Sequence, residues 1–110
     1  MRTTEIFNID RIIELKTGIL CKLHMDLYLI SESPIEIKGL VDFKNLRLSW
    51  IFFEVENPMN RVLMDNHKPI GLHIHYNDGE QVPVQATNIL EAQDIFFAAI
   101  KLHFGAEIEV

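Results

Sequence analysis

The chain has 110 residues, of which 48% are apolar and 24% are charged, and its net charge is −6 when the histidines are neutral. This length and composition are typical of one folded domain, and they argue against two domains and against intrinsic disorder. No apolar run approaches the ~18 residues of a membrane span, and the N-terminal residues lack the apolar core of a secretion signal. We therefore expect one soluble α+β domain over residues 1–110, located in the cytoplasm of a bacterial cell.

The negative charge is concentrated in the second half of the chain. Residues 1–55 carry 8 acids and 7 bases, whereas residues 56–110 carry 8 acids and 3 bases. Nucleic acids and anionic membranes attract clusters of Lys and Arg, which the sequence lacks. The acidic half favours a basic protein partner, although it would also keep a small domain soluble. The single cysteine, Cys21, is interpreted as a small buried side chain and not as a nucleophile.

The first segment has apolar residues at helical spacing. Ile6, Ile9 and Ile13 would share one face of a helix, and Gly18 suits the left-handed position after its last turn. The spacing predicts a short amphipathic helix over residues 4–17. A strand within residues 2–8 is the alternative.

From Leu20 onward the apolar residues recur at every second position, which is the period of a half-buried strand. The pattern predicts an antiparallel meander of strands over residues 20–29, 35–43 and 46–55, joined by short polar turns. Residues 57–69 are predicted to be an irregular connector, in which Arg61–Met64 could form one turn of helix.

The last third of the chain has the clearest local signals. Residues 70–76 and 80–86 predict a β-hairpin closed by Asn77-Asp78-Gly79, with Pro83 on an edge strand because proline cannot donate to a ladder. Asn88 followed by Glu91 is typical of a helix N-terminus, so a helix is expected over residues 89–103, with a short last strand after it. The predicted fold is therefore α+β: an N-terminal helix, a five-stranded and mostly antiparallel meander, a C-terminal helix packed on one face, and that last strand.

His73 and His75 are the residues most suggestive of chemistry. Residues two apart in a strand project from the same face, so the two imidazoles could bind Zn²⁺, Fe²⁺ or Ni²⁺ with His24 or Glu80 as a third ligand. The order His-x-His-x4-Glu resembles part of the first motif of the cupin family over residues 73–80. His67 and Thr87 stand where that family has glycines, and the family's second motif is missing, so no cupin barrel is expected.

Other catalytic patterns are absent from the sequence: it has no Gly-x-Ser-x-Gly elbow and no phosphate-binding glycine-rich loop. We therefore expect a binding protein with no cofactor and no catalytic residues, most simply an inhibitor such as a bacterial immunity protein that neutralises a basic toxin, for example a nuclease. The alternatives are a metal-binding protein or metal-dependent enzyme that uses the histidine pair, and a subunit of a homodimer that pairs through the Pro83 edge or the last strand. The residues expected to bind the partner are Glu54, Glu56, Asp78, Glu80, Asp94, Glu107, Glu109, His73 and His75.

Overall fold

The structure is a computed structural model that describes residues 2–31, 46–66, 71–106 and 108. These residues form one six-stranded antiparallel sheet, in which the strands lie side by side in chain order, and one helix near the C-terminus. Within this part of the chain, no helix has the length and apolarity needed to cross a membrane. The elements are β1 (Arg2–Glu14), β2 (Leu20–Ser31), β3 (Leu46–Glu54), β4 (Arg61–Asp65), β5 (His73–Tyr76), β6 (Val82–Pro83) and α1 (Ile89–Phe104).

The predicted N-terminal helix is wrong, because this segment forms the long edge strand β1, which pairs with β2 along its whole length. A β-bulge between Glu5 and Phe7 shifts the pairing register by one residue. The extra residue is Ile6, so it falls out of the period of two and lies at helical spacing before Ile9. The same β-branched residues suit a strand, and pairing with β2 satisfies the backbone groups.

The alternation predicted for residues 20–29 and 46–55 is confirmed. Met25 and Trp50 are directly opposite each other in β2 and β3, and both are fully buried. The strand predicted over residues 35–43 and the turn before it lie outside the described residues.

The helical turn predicted at Arg61–Met64 is also wrong, since these residues belong to β4 and pair with both β3 and β5. The predicted hairpin is present, but its strands are shorter than expected, and Pro83 lies on the edge strand β6 as predicted. Asn77 adopts the left-handed conformation in its turn, with φ of 54°. Gly79 is needed for a different reason: a Cβ there would lie 2.9 Å from the carbonyl oxygen of Tyr76.

The C-terminal helix is confirmed, and it packs on one face of the sheet. Asn88 caps it by accepting a hydrogen bond from the backbone of Glu91, and Gly105 ends it with φ of 71°. The rings of Phe96 and Phe104 lie 5.7 Å and 4.9 Å from those of Trp50 and Phe52.

The end of α1 is also attached to two turns of the sheet. His103 Nε2 lies 3.0 Å from the side-chain oxygens of both Asn60 and Asn77, and its ring packs against Tyr76. After the helix, Ala106 and Ile108 pack against the core without forming a strand, and the rest of the predicted last strand lies outside the described residues.

Candidate metal centre on the outer face of the sheet

The side of the sheet opposite α1, which we call the outer face, carries a row of polar residues. In the register of the sheet, Asp26 on β2 is opposite Ser49 on β3, Ser49 is opposite Asp65 on β4, and Asp65 is opposite His73 on β5. Antiparallel pairing places directly opposite side chains on the same face, about 4.5–5.5 Å apart at Cβ. The row therefore brings together polar groups that are far apart in the sequence.

At the end of this row, Asp65, His73 and His75 form a cluster that has the composition of a metal site. Each residue offers one ligand atom, and these atoms all lie within 4.8 Å of one another. His75 is two residues beyond His73 on β5, and the two rings stack with their centroids 5.7 Å apart. We refer to these three residues as the triad.

His73 is the most constrained member of the triad, with only 1% of the residue exposed. Its Nδ1 lies 2.8 Å from the backbone carbonyl oxygen of Gly71, and its Nε2 lies 3.2 Å from Oδ1 of Asp65. A carbonyl oxygen can only accept, so Nδ1 must donate. Nε2 then faces a carboxylate that also only accepts, and a cation bound between the two atoms would make this contact favourable.

The contact of His73 with the Gly71 carbonyl is also typical of a metal-binding histidine. Such residues usually donate their other ring N–H to a carbonyl or carboxylate, which fixes the tautomer and the orientation of the ring. Gly71 adopts the left-handed conformation with φ of 81°, which favours glycine. Gly71 is therefore suited to the turn that supplies the acceptor for His73.

His75 is half-buried, and burial lowers its pKa below the ordinary value of 6.5. The charge of His73 lowers the pKa further, and so does Arg61, whereas the acids Asp65 and Asp78 oppose the shift. A lowered pKa keeps the imidazole neutral at pH 7, which is the form that binds a metal.

Two imidazoles and one carboxylate are the ligand set of many catalytic zinc sites and of non-haem Fe(II) sites, and three protein ligands leave coordination positions open. Tetrahedral zinc with bonds of 2.0–2.1 Å requires ligand atoms about 3.3 Å apart. Separations of up to 4.8 Å therefore have to shorten. Since His73 is held by Gly71, the half-buried His75 is the ligand with the greater freedom to move.

The structure brings His73 and His75 together on one face as predicted, but the third ligand is not among those expected. His24 lies on β2, three strands away, where its Nε2 is 2.7 Å from Oδ2 of Asp26. Glu80 is exposed beyond the hairpin turn and is not part of the triad. Asp65 was missed because its segment resembled a turn of helix. In the structure Val62 and Met64 are buried, which places Asp65 on the opposite face, but two residues are too few to establish the period of a strand in the sequence.

Of the acids expected to bind a partner, those that the structure describes do not all lie together. Glu54, Glu56, Asp78 and Glu80 lie at the end of the sheet where the β1–β2, β3–β4 and β5–β6 turns meet. Asp94 is exposed on α1, away from that end, and Glu107 and Glu109 lie outside the described residues.

Cys21 is fully buried, and burial, followed by the nearby Glu54, raises the pKa of its thiol. Both effects oppose formation of the thiolate, which agrees with the structural role predicted for this residue.

No protein-family model, no curated protein and no solved structure matches this chain.

Proposed function

We propose that this chain is a metal-binding protein and that Asp65, His73 and His75 bind one divalent transition metal ion, with Zn²⁺ as the reference case. The observation that carries the proposal is the environment of His73, whose buried ring has Nδ1 on the Gly71 carbonyl and Nε2 on the Asp65 carboxylate. A metal ion on Nε2 would complete this arrangement, since it accepts the nitrogen lone pair and is attracted to the carboxylate.

The position of the triad on the outer face supports a site with open coordination positions. Asp65 and His75 are only partly buried, and Ser49, next to Asp65 on β3, is exposed. Solvent or a ligand can therefore approach the ion from this side. Among the described residues the triad supplies three ligands, whereas a purely structural zinc site would normally have four.

The test is metal affinity measured by competition with a chromophoric chelator. We expect one equivalent of Zn²⁺ to bind to the wild type, and His75→Ala to bind it at least about tenfold more weakly. His24→Ala is the matched control, because His24 is also a half-buried histidine on the outer face but lies on β2. Equal affinity in the wild type and His75→Ala, with both folded by circular dichroism, would exclude the triad.

A second candidate function is inhibition of a basic protein, for example a bacterial toxin. The supporting observation is that Glu54, Glu56, Asp78 and Glu80 share one end of the sheet. Such a partner should bind stoichiometrically at low salt and dissociate at high salt. Replacing Glu56 and Glu80 by Gln should weaken its capture, whereas Asp94→Asn should not.

Homodimer formation through the Pro83 edge stays a prediction, which size-exclusion measurements at several concentrations would test.

A further inference from the structure

The outer face next to the triad contains a guanidinium group that metal binding alone does not require. Arg61 and Asp65 lie on the same face of β4, four residues apart, with Leu63 between them. Leu63 is directly opposite His75, so Arg61 and Asp65 are its diagonal neighbours on β4, one on each side. Diagonal neighbours are about 7–8 Å apart, which long side chains can span.

Arg61 is held at this position by the turn between β5 and β6. Its Nε donates to the backbone carbonyl of Asn77 at 3.3 Å, and its Nη2 lies 3.5 Å from Oδ1 of Asp78. The side chain of Asp78 is 71% exposed. An ion pair of that length and exposure is weak, so Asp78 can give way to another oxyanion.

An apolar surface adjoins these charged groups on the outer face. Leu63 is opposite Ile51, and Phe53 is opposite Arg61, so the three apolar side chains are contiguous. All three are half-buried, which leaves part of their surface in contact with solvent. We refer to Ile51, Phe53 and Leu63 as the apolar floor.

The charge of Arg61 distinguishes two roles for this site. A cation next to the triad opposes the binding of a metal ion, and Arg61 is one of the groups that lower the pKa of His75. The same charge favours an anion that binds to the metal, because guanidinium binds carboxylate and phosphate oxygens with paired N–H groups. A site that served only to hold a metal ion would gain nothing from this residue.

We propose that the triad and Arg61 together bind a small ligand that carries an oxyanion, phosphoryl or carboxylate, on an apolar body. This inference rests on the proposed metal site. The oxyanion binds to the metal ion and the Arg61 guanidinium, and the apolar body lies on the floor of Ile51, Phe53 and Leu63. The ligand thus spans from the triad towards β3.

The test uses the full chain loaded with one equivalent of Zn²⁺ and calorimetric titration with phenylphosphonate, benzoate and inorganic phosphate. Both aromatic probes carry an oxyanion and a ring, and inorganic phosphate lacks the ring. We expect at least one aromatic probe to bind about tenfold more tightly than inorganic phosphate, because burial of the ring adds hydrophobic free energy. Preference between the two aromatic probes assigns the ligand to the phosphoryl or the carboxylate class.

Arg61→Gln should affect the two binding steps in opposite directions. Metal affinity should be unchanged or higher, because a repulsive charge is removed, whereas affinity for the preferred aromatic probe should fall by about tenfold or more. Arg11→Gln is the matched control: it removes the same charge from an exposed arginine on β1, on the side of the sheet that faces α1. Asp78→Asn removes the carboxylate that competes for Arg61, and it should strengthen probe binding.

The outcomes separate the two proposals. If the wild type binds no metal, the proposed function fails. A different result overturns the oxyanion site alone. In that case Zn²⁺ binds to the wild type and more weakly to His75→Ala, but neither aromatic probe binds, or Arg61→Gln binds the probe as well as Arg11→Gln does.

Discussion

Asp65→Asn is the substitution that tests the triad most directly, because it removes a negative charge and leaves the shape of the side chain almost unchanged. Asp65 Oδ1 is 3.2 Å from Nε2 of His73, and the two side chains are 22% and 1% exposed. In the metal-free protein Nδ1 of His73 donates to Gly71, so Nε2 of the neutral ring can accept a hydrogen bond from the amide of Asp65→Asn, which the carboxylate cannot donate. The metal-free variant should therefore be within about 1 kcal/mol of the wild type in stability, or about 4 °C in Tm for a domain of this size.

The main effect of Asp65→Asn should be on the stabilisation that metal binding provides. At a Zn²⁺ concentration 100 times the Kd of the wild type, binding to the native state stabilises it by about 2.7 kcal/mol. If the neutral amide weakens the affinity 100-fold, the same concentration stabilises the variant by only about 0.4 kcal/mol. The rise in Tm on adding Zn²⁺ should thus be clear for the wild type and nearly absent for Asp65→Asn.

The assay is thermal unfolding followed by circular dichroism, in chelator and in Zn²⁺. Asp26→Asn is the control, because Asp26 also contacts a histidine on the outer face, with Oδ2 2.7 Å from His24 and a side chain that is 20% exposed. Asp26→Asn should lose stability in chelator but keep the full rise in Tm on adding Zn²⁺. If Asp65→Asn keeps that rise in Tm as well, Asp65 is not a ligand of the metal.

Three further predictions concern His75, the cap of α1 and Cys21. The pKa of His75 should lie below the ordinary value of 6.5 in a histidine NMR titration, and Arg61→Gln should raise it. Since protonation of His75 competes with the metal, the contribution of His75 to metal affinity should persist at pH 6.5 and be lost as the pH falls through the lowered pKa. A midpoint above 6.5 would contradict the burial argument. Asn88→Ala removes the cap of α1 and should cost about 1 kcal/mol in denaturant unfolding, and an unchanged midpoint would mean that the cap does not stabilise the helix. Cys21 should react with a thiol reagent only after unfolding, since its side chain is fully buried, and rapid labelling of the native protein would show that the β2–β3 region opens.

Local patterns in the sequence predicted the parts of the fold that depend on neighbouring residues. The alternation around Met25 and Trp50, the turn at Asn77 and the helix that begins after Asn88 are all present. Each depends on periodicity or on the chemistry of a few consecutive side chains, which the sequence displays directly.

The errors occurred where a distant partner decides the structure. The bulge near Phe7 is stabilised by pairing with β2, and it disguised the period of β1. Arg61–Asp65 is too short to show a clear period, and it becomes a strand because β3 and β5 lie on either side of it. Asp65 could not be assigned to the triad without that pairing, because its contact with His73 depends on the register between two strands.

The order of the strands also has a consequence for how the protein folds. Among the described strands, each pairs with the next one in the chain, so the sheet can grow by adding consecutive strands, and α1 then docks on the sheet that they form. Chains dominated by such local pairings close smaller loops and fold faster than β proteins whose neighbouring strands are distant in sequence. The triad spans only residues 65–75 on two consecutive strands. A metal ion could therefore join β4 to β5 early in folding, before the helix has packed.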